Sequence, residues 1–132
     1  MSNIYQSILD DLTTRLSFDE TIKVFLRKPF ADETDTPAIF IVPSNYTIDE
    51  DNGLKVKGPF SINLLLFAKT FSELLDLVDT VEKELGLLSR VPNTLGKIKY
   101  AGWQLADKQA TGFACDGVQM SLRVSLTRDK ER

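Results

Sequence analysis

The chain has 132 residues, 42% of them hydrophobic and 27% charged, with 16 Lys and Arg against 19 Asp and Glu for a net charge of −3. That is one domain's length with the composition of a soluble globular protein, and it lacks the basic excess of proteins that grip nucleic acid by its phosphates. Histidine is absent and Cys115 is the only cysteine, which excludes Ser-His-Asp and Cys-His catalysis, an internal disulfide and a cysteine metal cluster.

Ser2 or Asn3 is placed to cap a first helix of about four turns, whose apolar stripe is Ile4, Ile8, Leu12 and Leu16. Ile22, Val24 and Leu26 alternate with Lys23, Phe25 and Arg27, the pattern of a strand ending near Pro29. A polar loop through Ala31 to Pro37 leads to Ala38-Ile39-Phe40-Ile41-Val42, an apolar run short enough for a strand buried on both faces and closed by Pro43. Residues 45–59 are polar and fit either a hairpin tip or a mobile loop, with Tyr46 and Ile48 as an extension of the strand before them. Phe60 to Phe67 is a further strand with Phe60, Ile62, Leu64 and Leu66 on one face.

Thr70 and Glu73 have capping-box spacing at the start of a second helix. Its stripe is Leu74, Val78, Val81 and Leu85, and Gly86 is the expected stop. Ile98 to Leu105 reads as a strand containing Trp103, and Asp107 to Gly112 as a turn. The alternation of Val118, Met120, Leu122, Val124 and Leu126 with Gln119, Ser121, Arg123, Ser125 and Thr127 indicates an antiparallel strand with one core face and one polar face. Arg128 to Arg132 is expected to be a disordered tail. The order of elements gives an α+β domain spanning 1–132, with a mainly antiparallel β-sheet and two main helices packed on one face.

The candidate site residues lie on the surface. Asp32, Glu33 and Asp35 share one loop and Asp49, Glu50 and Asp51 another. The second group departs from a calcium loop, because Gly53, Leu54 and Phe60 stand where a ligand, the glycine and the glutamate belong. Crowded carboxylates in polar loops do not form the split-pKa pair that acid/base chemistry needs, and no glycine-rich phosphate cradle occurs. Cys115, just before an apolar strand, reads as a packing residue. Trp103 and Tyr100 suit either core or interface. Lys55, Lys57, Lys97 and Lys99 read as solvated charges. Arg123 projects from the polar face of the last strand, where a neighbouring subunit could offer it a carboxylate. No apolar run approaches the ~20 residues of a membrane span, and the start has no basic region followed by an apolar stretch, so no signal peptide is expected.

Several of these pieces, in this order, carry a likeness. Arg27 and Pro29 precede the acidic loop Asp32-Glu33-Thr34-Asp35, which leads into Pro37-Ala38 and an apolar strand. Tyr46-Thr47 opens the stretch with Glu50. The strand from Phe60 to Phe67 feeds a helix beginning near Ser72-Glu73-Leu74. Gly102 and Trp103 precede an acidic turn, Gly112 and the terminal strand. Over residues 20–126 the chain resembles the lambda-type phage tail terminator family, the minor tail protein U-like proteins.

The resemblance implies a non-enzymatic bacteriophage virion protein without cofactor or metal, assembled in the host cytoplasm into the virion tail. It implies a homo-oligomer, a hexameric ring, that caps the tail tube protein, stops its polymerisation and offers a head–tail joining surface to a head-completion protein. DNA would pass through the lumen without specific binding, and no membrane is involved. Asp32, Glu33, Asp35, Asp49, Glu50, Asp51 and Arg123 are then the candidates for a ring interface or lumen. A head–tail connector or tail tube subunit of related fold, and a small α+β ligand-binding module or enzyme, are the alternatives.

Overall fold

Long strands of alternating residues dominate the middle and end of the chain, and they decide the architecture. The computed structural model describes residues 3–30, 35–85, 92–93, 96–106, 115 and 117–129, with backbone alone at 92–93 and 96–97. The elements are α1 (Ile4–Leu16), β1 (Lys23–Phe25), β2 (Ala38–Tyr46), β3 (Glu50–Asp51), β4 (Lys55–Phe67), α2 (Phe71–Glu84), β5 (Pro92–Asn93), β6 (Gly96–Ala106) and β7 (Gly117–Asp129). They form one sheet in the order β1-β2-β4-β7-β6-β5, with β3 also paired to β4. Among the described residues only the β1–β2 pairing is parallel. This is the α+β class expected.

The centre of the sheet is the β4–β7 ladder, in register from Lys55↔Asp129 to Phe67↔Gly117. Because successive side chains point to opposite faces, Phe60, Ile62, Leu64 and Leu66 share one face with Val118, Met120, Leu122, Val124 and Leu126. That face is covered by both helices. Ile8, Leu9, Leu12 and Leu16 of α1 and Leu74, Leu77, Val78 and Val81 of α2 close over it into one core. On the opposite face Ala38, Phe40, Leu65 and Phe67 form a small second cluster, with Phe25, Val42 and Cys115 against it. Each buried Leu or Ile stabilises the fold by roughly 1.5–3 kcal/mol.

Both helix starts follow from their caps. Asn3 Oδ1 accepts from Gln6 N at 2.8 Å. Thr70 Oγ1 accepts from Glu73 N at 3.1 Å, and Glu73 Oε1 takes the Thr70 hydroxyl at 3.0 Å instead of the backbone N–H of a full capping box. Gly86, the expected stop, and the turn from Asp107 to Gly112 lie outside the described residues.

The strands depart from the sequence reading at four places. First, β1 is three residues long, because it has a neighbour on one side only, at Ala38 to Phe40. Second, β2 passes through Pro43 to Tyr46, with a register shift between Pro43 and Asn45. Past Phe40 the strand has no β1 beside it, so a residue without N–H is tolerated there. Third, β4 starts at Lys55, so the stretch from Asn45 to Pro59 is a hairpin built as a paired arm. The β2–β3 side of its ladder breaks between Tyr46 and Glu50, opposite Gly58 and Pro59, where proline has no hydrogen to give. Fourth, β7 runs to Asp129, so Arg128 and Asp129 are strand and not disordered tail. Lys55 approaches Asp129 at 3.9 Å, and the Arg128 guanidinium lies 4.9 Å from the Tyr5 ring centre.

Gly58 is fixed by close approach. A Cβ there would sit 1.6 Å from the Thr47 carbonyl oxygen, so the arm closes only without a side chain. Gly58→Ala is expected to cost about 1–3 kcal/mol. In urea unfolding the midpoint should fall with the slope unchanged, and an unaltered midpoint would mean that the arm is not tightly closed.

Candidate functional site

The second face of an antiparallel sheet is free to meet water or another protein. Here the helices occupy one face, and beyond the small cluster around Phe40 the other face is polar. The sequence alternation places Arg123 and Ser125 of β7 on it. Pairing then brings Lys99 of β6 and Ser61 of β4 opposite Arg123, and Pro59 opposite Ser125. Lys57, two residues along β4, lies on the same face, and Glu50 of β3 pairs with it.

These residues line an open groove of about 330 Å³, bounded by Asp49, Glu50, Lys57, Gly58, Pro59, Lys99, Arg123 and Ser125. Its five charged side chains come from the β3 segment, β4, β6 and β7, and all are exposed. None forms an ion pair among the described residues, whose salt bridges are Arg15–Asp11, Lys55–Asp129 and Lys83–Asp79. Three cations and two carboxylates therefore line one groove without an ion pair among the described residues. Such a surface suits a polar interface in which a partner supplies the missing charges.

Of the residues singled out from sequence, Asp49, Glu50 and Arg123 meet in this groove. Glu50 and Asp51 are strand residues, and Asp51 Oδ1 accepts from Gly53 N at 2.9 Å to shape the arm's tip. Asn52 Oδ1 accepts there from Leu54 N and Lys55 N, and Gly53 has φ +91°. Asp35 is exposed and apart from the groove. Asp32 and Glu33 lie outside the described residues. Lys57 and Lys99, read from sequence as ordinary solvated charges, belong to the groove. Their alternation was visible, but only the strand order shows that they adjoin Arg123.

The base of the arm is clamped to α1. Tyr46 Oη donates to Leu126 O at 3.3 Å, and the Tyr5 ring packs edge-on against Tyr46 and Phe60, with centroids 6.0 and 4.9 Å away. Burial, then the neighbouring Tyr5, raises the Tyr46 phenol above its ordinary pKa. Tyr100 ties β6 to α2 by donating to Glu82 Oε2 at 2.5 Å. Burial first, then that hydrogen bond and the carboxylate's charge, hold its phenol well above the usual range. Trp103, left open between core and interface, is 42% exposed beside the Gly102 bulge.

A second groove, about 500 Å³, lies at the start of α2 and is lined by Ala68, Lys69, Thr70, Phe71, Leu74, Leu105, Ala106 and Cys115. Cys115 is half-buried, with its sulfur 3.8 Å from Ala68 O, a packing position. Among the described residues no cluster of acidic or cysteine side chains is placed to hold a metal ion, and no helix is long and apolar enough to cross a membrane. No protein-family model matches the chain, and no curated protein matches it in sequence.

Tyr100 gives the pH dependence a sign. Its phenol keeps its proton in the folded protein beyond the ordinary value of 10.0, whereas the unfolded chain releases it there. The stabilisation is complete below pH 10 and is lost as the pH climbs above it. Tyr100→Phe is expected to flatten the decline in stability above pH 10 and to cost about 1.5 kcal/mol at pH 8, where the bond to Glu82 is intact. Urea unfolding at both pH values checks this, and parallel pH slopes for the two proteins would contradict it.

Proposed function

We propose that the chain is a tail terminator of a long-tailed bacteriophage, a structural protein that acts through its surfaces. Copies form a ring, six in the family it resembles, that caps the tail tube, stops its polymerisation and presents a docking surface to the head-completion protein. The observation that carries this reading is the polar sheet face, where Asp49, Glu50, Lys57, Lys99 and Arg123 stand exposed and, among the described residues, without an ion pair. A rigid polar face of mixed charge is poorly suited to closing around a small molecule and well suited to meeting another subunit in one orientation. The order of the elements from β1 to β7 supports it as well, since the resemblance rests on that order.

The reading also accounts for the charge. Two carboxylates among three cations make a poor phosphate grip, and the whole chain is acidic by three charges. Passing DNA is therefore not held at this surface. A head–tail connector or tube subunit of related fold would use the same kind of face. Behaviour separates the three, because a tube subunit builds rods by itself and a terminator halts rods made by another protein.

A ligand-binding module is the second reading, favoured by the groove beside Thr70 and Leu105. At about 500 Å³ it falls within the size range of small-molecule pockets, and it is largely apolar. A melting shift of several degrees with one metabolite, absent with the others, would support this reading over the first.

The terminator reading is tested by adding purified chain to polymerising tail tube protein and measuring rod length by electron microscopy. The expected result is short rods of uniform length with a ring at one end. Rods of unchanged length with bare ends would overturn the proposal.

A further inference from the structure

We infer that the polar sheet face receives the outer side of α2 from a second copy of the chain, so that subunits join front to back. This deepens the ring reading and rests on it. The outer side of α2 carries Glu73, Asp76, Asp79 and Glu84, all exposed. At 100° per residue Glu73, Asp76 and Glu84 fall within one quarter of the helix circumference. Lys83 is bound to Asp79 at 3.0 Å, which leaves this side strongly acidic. The groove on the other side of the sheet offers Lys57, Lys99 and Arg123, none in an ion pair among the described residues. The groove holds three cations against the two carboxylates Asp49 and Glu50, and the helix side offers the carboxylates of Glu73, Asp76 and Glu84, none in an ion pair among the described residues.

The two surfaces lie on opposite sides of a two-layer domain, because α2 covers the core face and the groove opens on the other. They cannot satisfy each other within one molecule. They also cannot be satisfied by a two-fold pair, which would set groove against groove. A head-to-tail contact satisfies both, and such contacts close into rings when the rotation per subunit allows it. A protein surface fits better than a polyanion, because Asp49 and Glu50 at the margin of the groove repel phosphate. Contacts of this kind govern orientation and association rate and weaken with salt.

Two reversed variants test the pairing: K57E/R123E, which makes the groove acidic, and D76K/E84K, which makes the helix basic. All four positions are exposed, and circular dichroism confirms folding. Mass is measured by light scattering over roughly 0.01–1 mM protein, at low and high salt. The expected outcome is that the wild type assembles, less so at high salt, and each variant alone stays monomeric. An equimolar mixture should regain the wild-type mass, because each acidic groove then meets a basic helix and each basic groove an acidic one. Either variant assembling alone, a mixture that stays monomeric, or a monomeric wild type overturns the docking. If reversed variants still form rings that cap tubes, the docking fails and the terminator reading stands. If the mixture reassembles but tubes grow uncapped, the docking stands and the terminator reading fails.

Discussion

Everything in this fold depends on the unbroken pairing of β4 with β7. The ladder runs from Lys55↔Asp129 to Phe67↔Gly117 without a register shift, and side chains alternate strictly along it. A slip of β7 by one residue would turn Leu122 and Val124 out to water and bring Ser121 and Arg123 under the helices. Both helices, the core between them and the polar groove on the reverse side are therefore set by one choice of register. The same ladder carries the arm, since its first pairs lie beyond the core and hold the base that Tyr5, Tyr46 and Arg128 clamp.

This shared dependence links stability to the proposed work of the surface. The charged groove is not a loop feature that adapts to whatever arrives. It is the back of the most firmly built part of the sheet, so Lys57, Lys99 and Arg123 are held at fixed spacing by backbone hydrogen bonds. Preformed charge spacing favours partners that match it and penalises those that do not.

Much of the fold was legible in the sequence because the strongest signals are local. The alternation from Val118 to Leu126, the four-residue steps of α1 and the Thr70–Glu73 cap each announce one element, and all three occur. The errors fell where distant neighbours decide. Pro43 looked like the end of a strand, yet it sits past the end of β1, and the strand expected to begin at Phe60 runs back through Pro59, which lies opposite an interruption in its partner. Arg128 looked like tail because its partner across the ladder, Val56, is seventy-two residues away in sequence. The site was half legible for the same reason. Asp49, Glu50 and Arg123 stood out as charge clusters or as the polar side of a strand, but that they share a groove with Lys57 and Lys99 follows only from the strand order.

The edges of the sheet bear on crowding during synthesis. Among the described residues β2 has no outer neighbour past Phe40, and it is bulged and carries Pro43. The long outer side of β6 is bent by the bulge at Gly102, φ +102°. Interruptions of this kind spoil the straight row of donors and acceptors that lets sheets fuse sideways into amyloid-like stacks. Edges interrupted in this way work against the one direction of self-association that would never terminate.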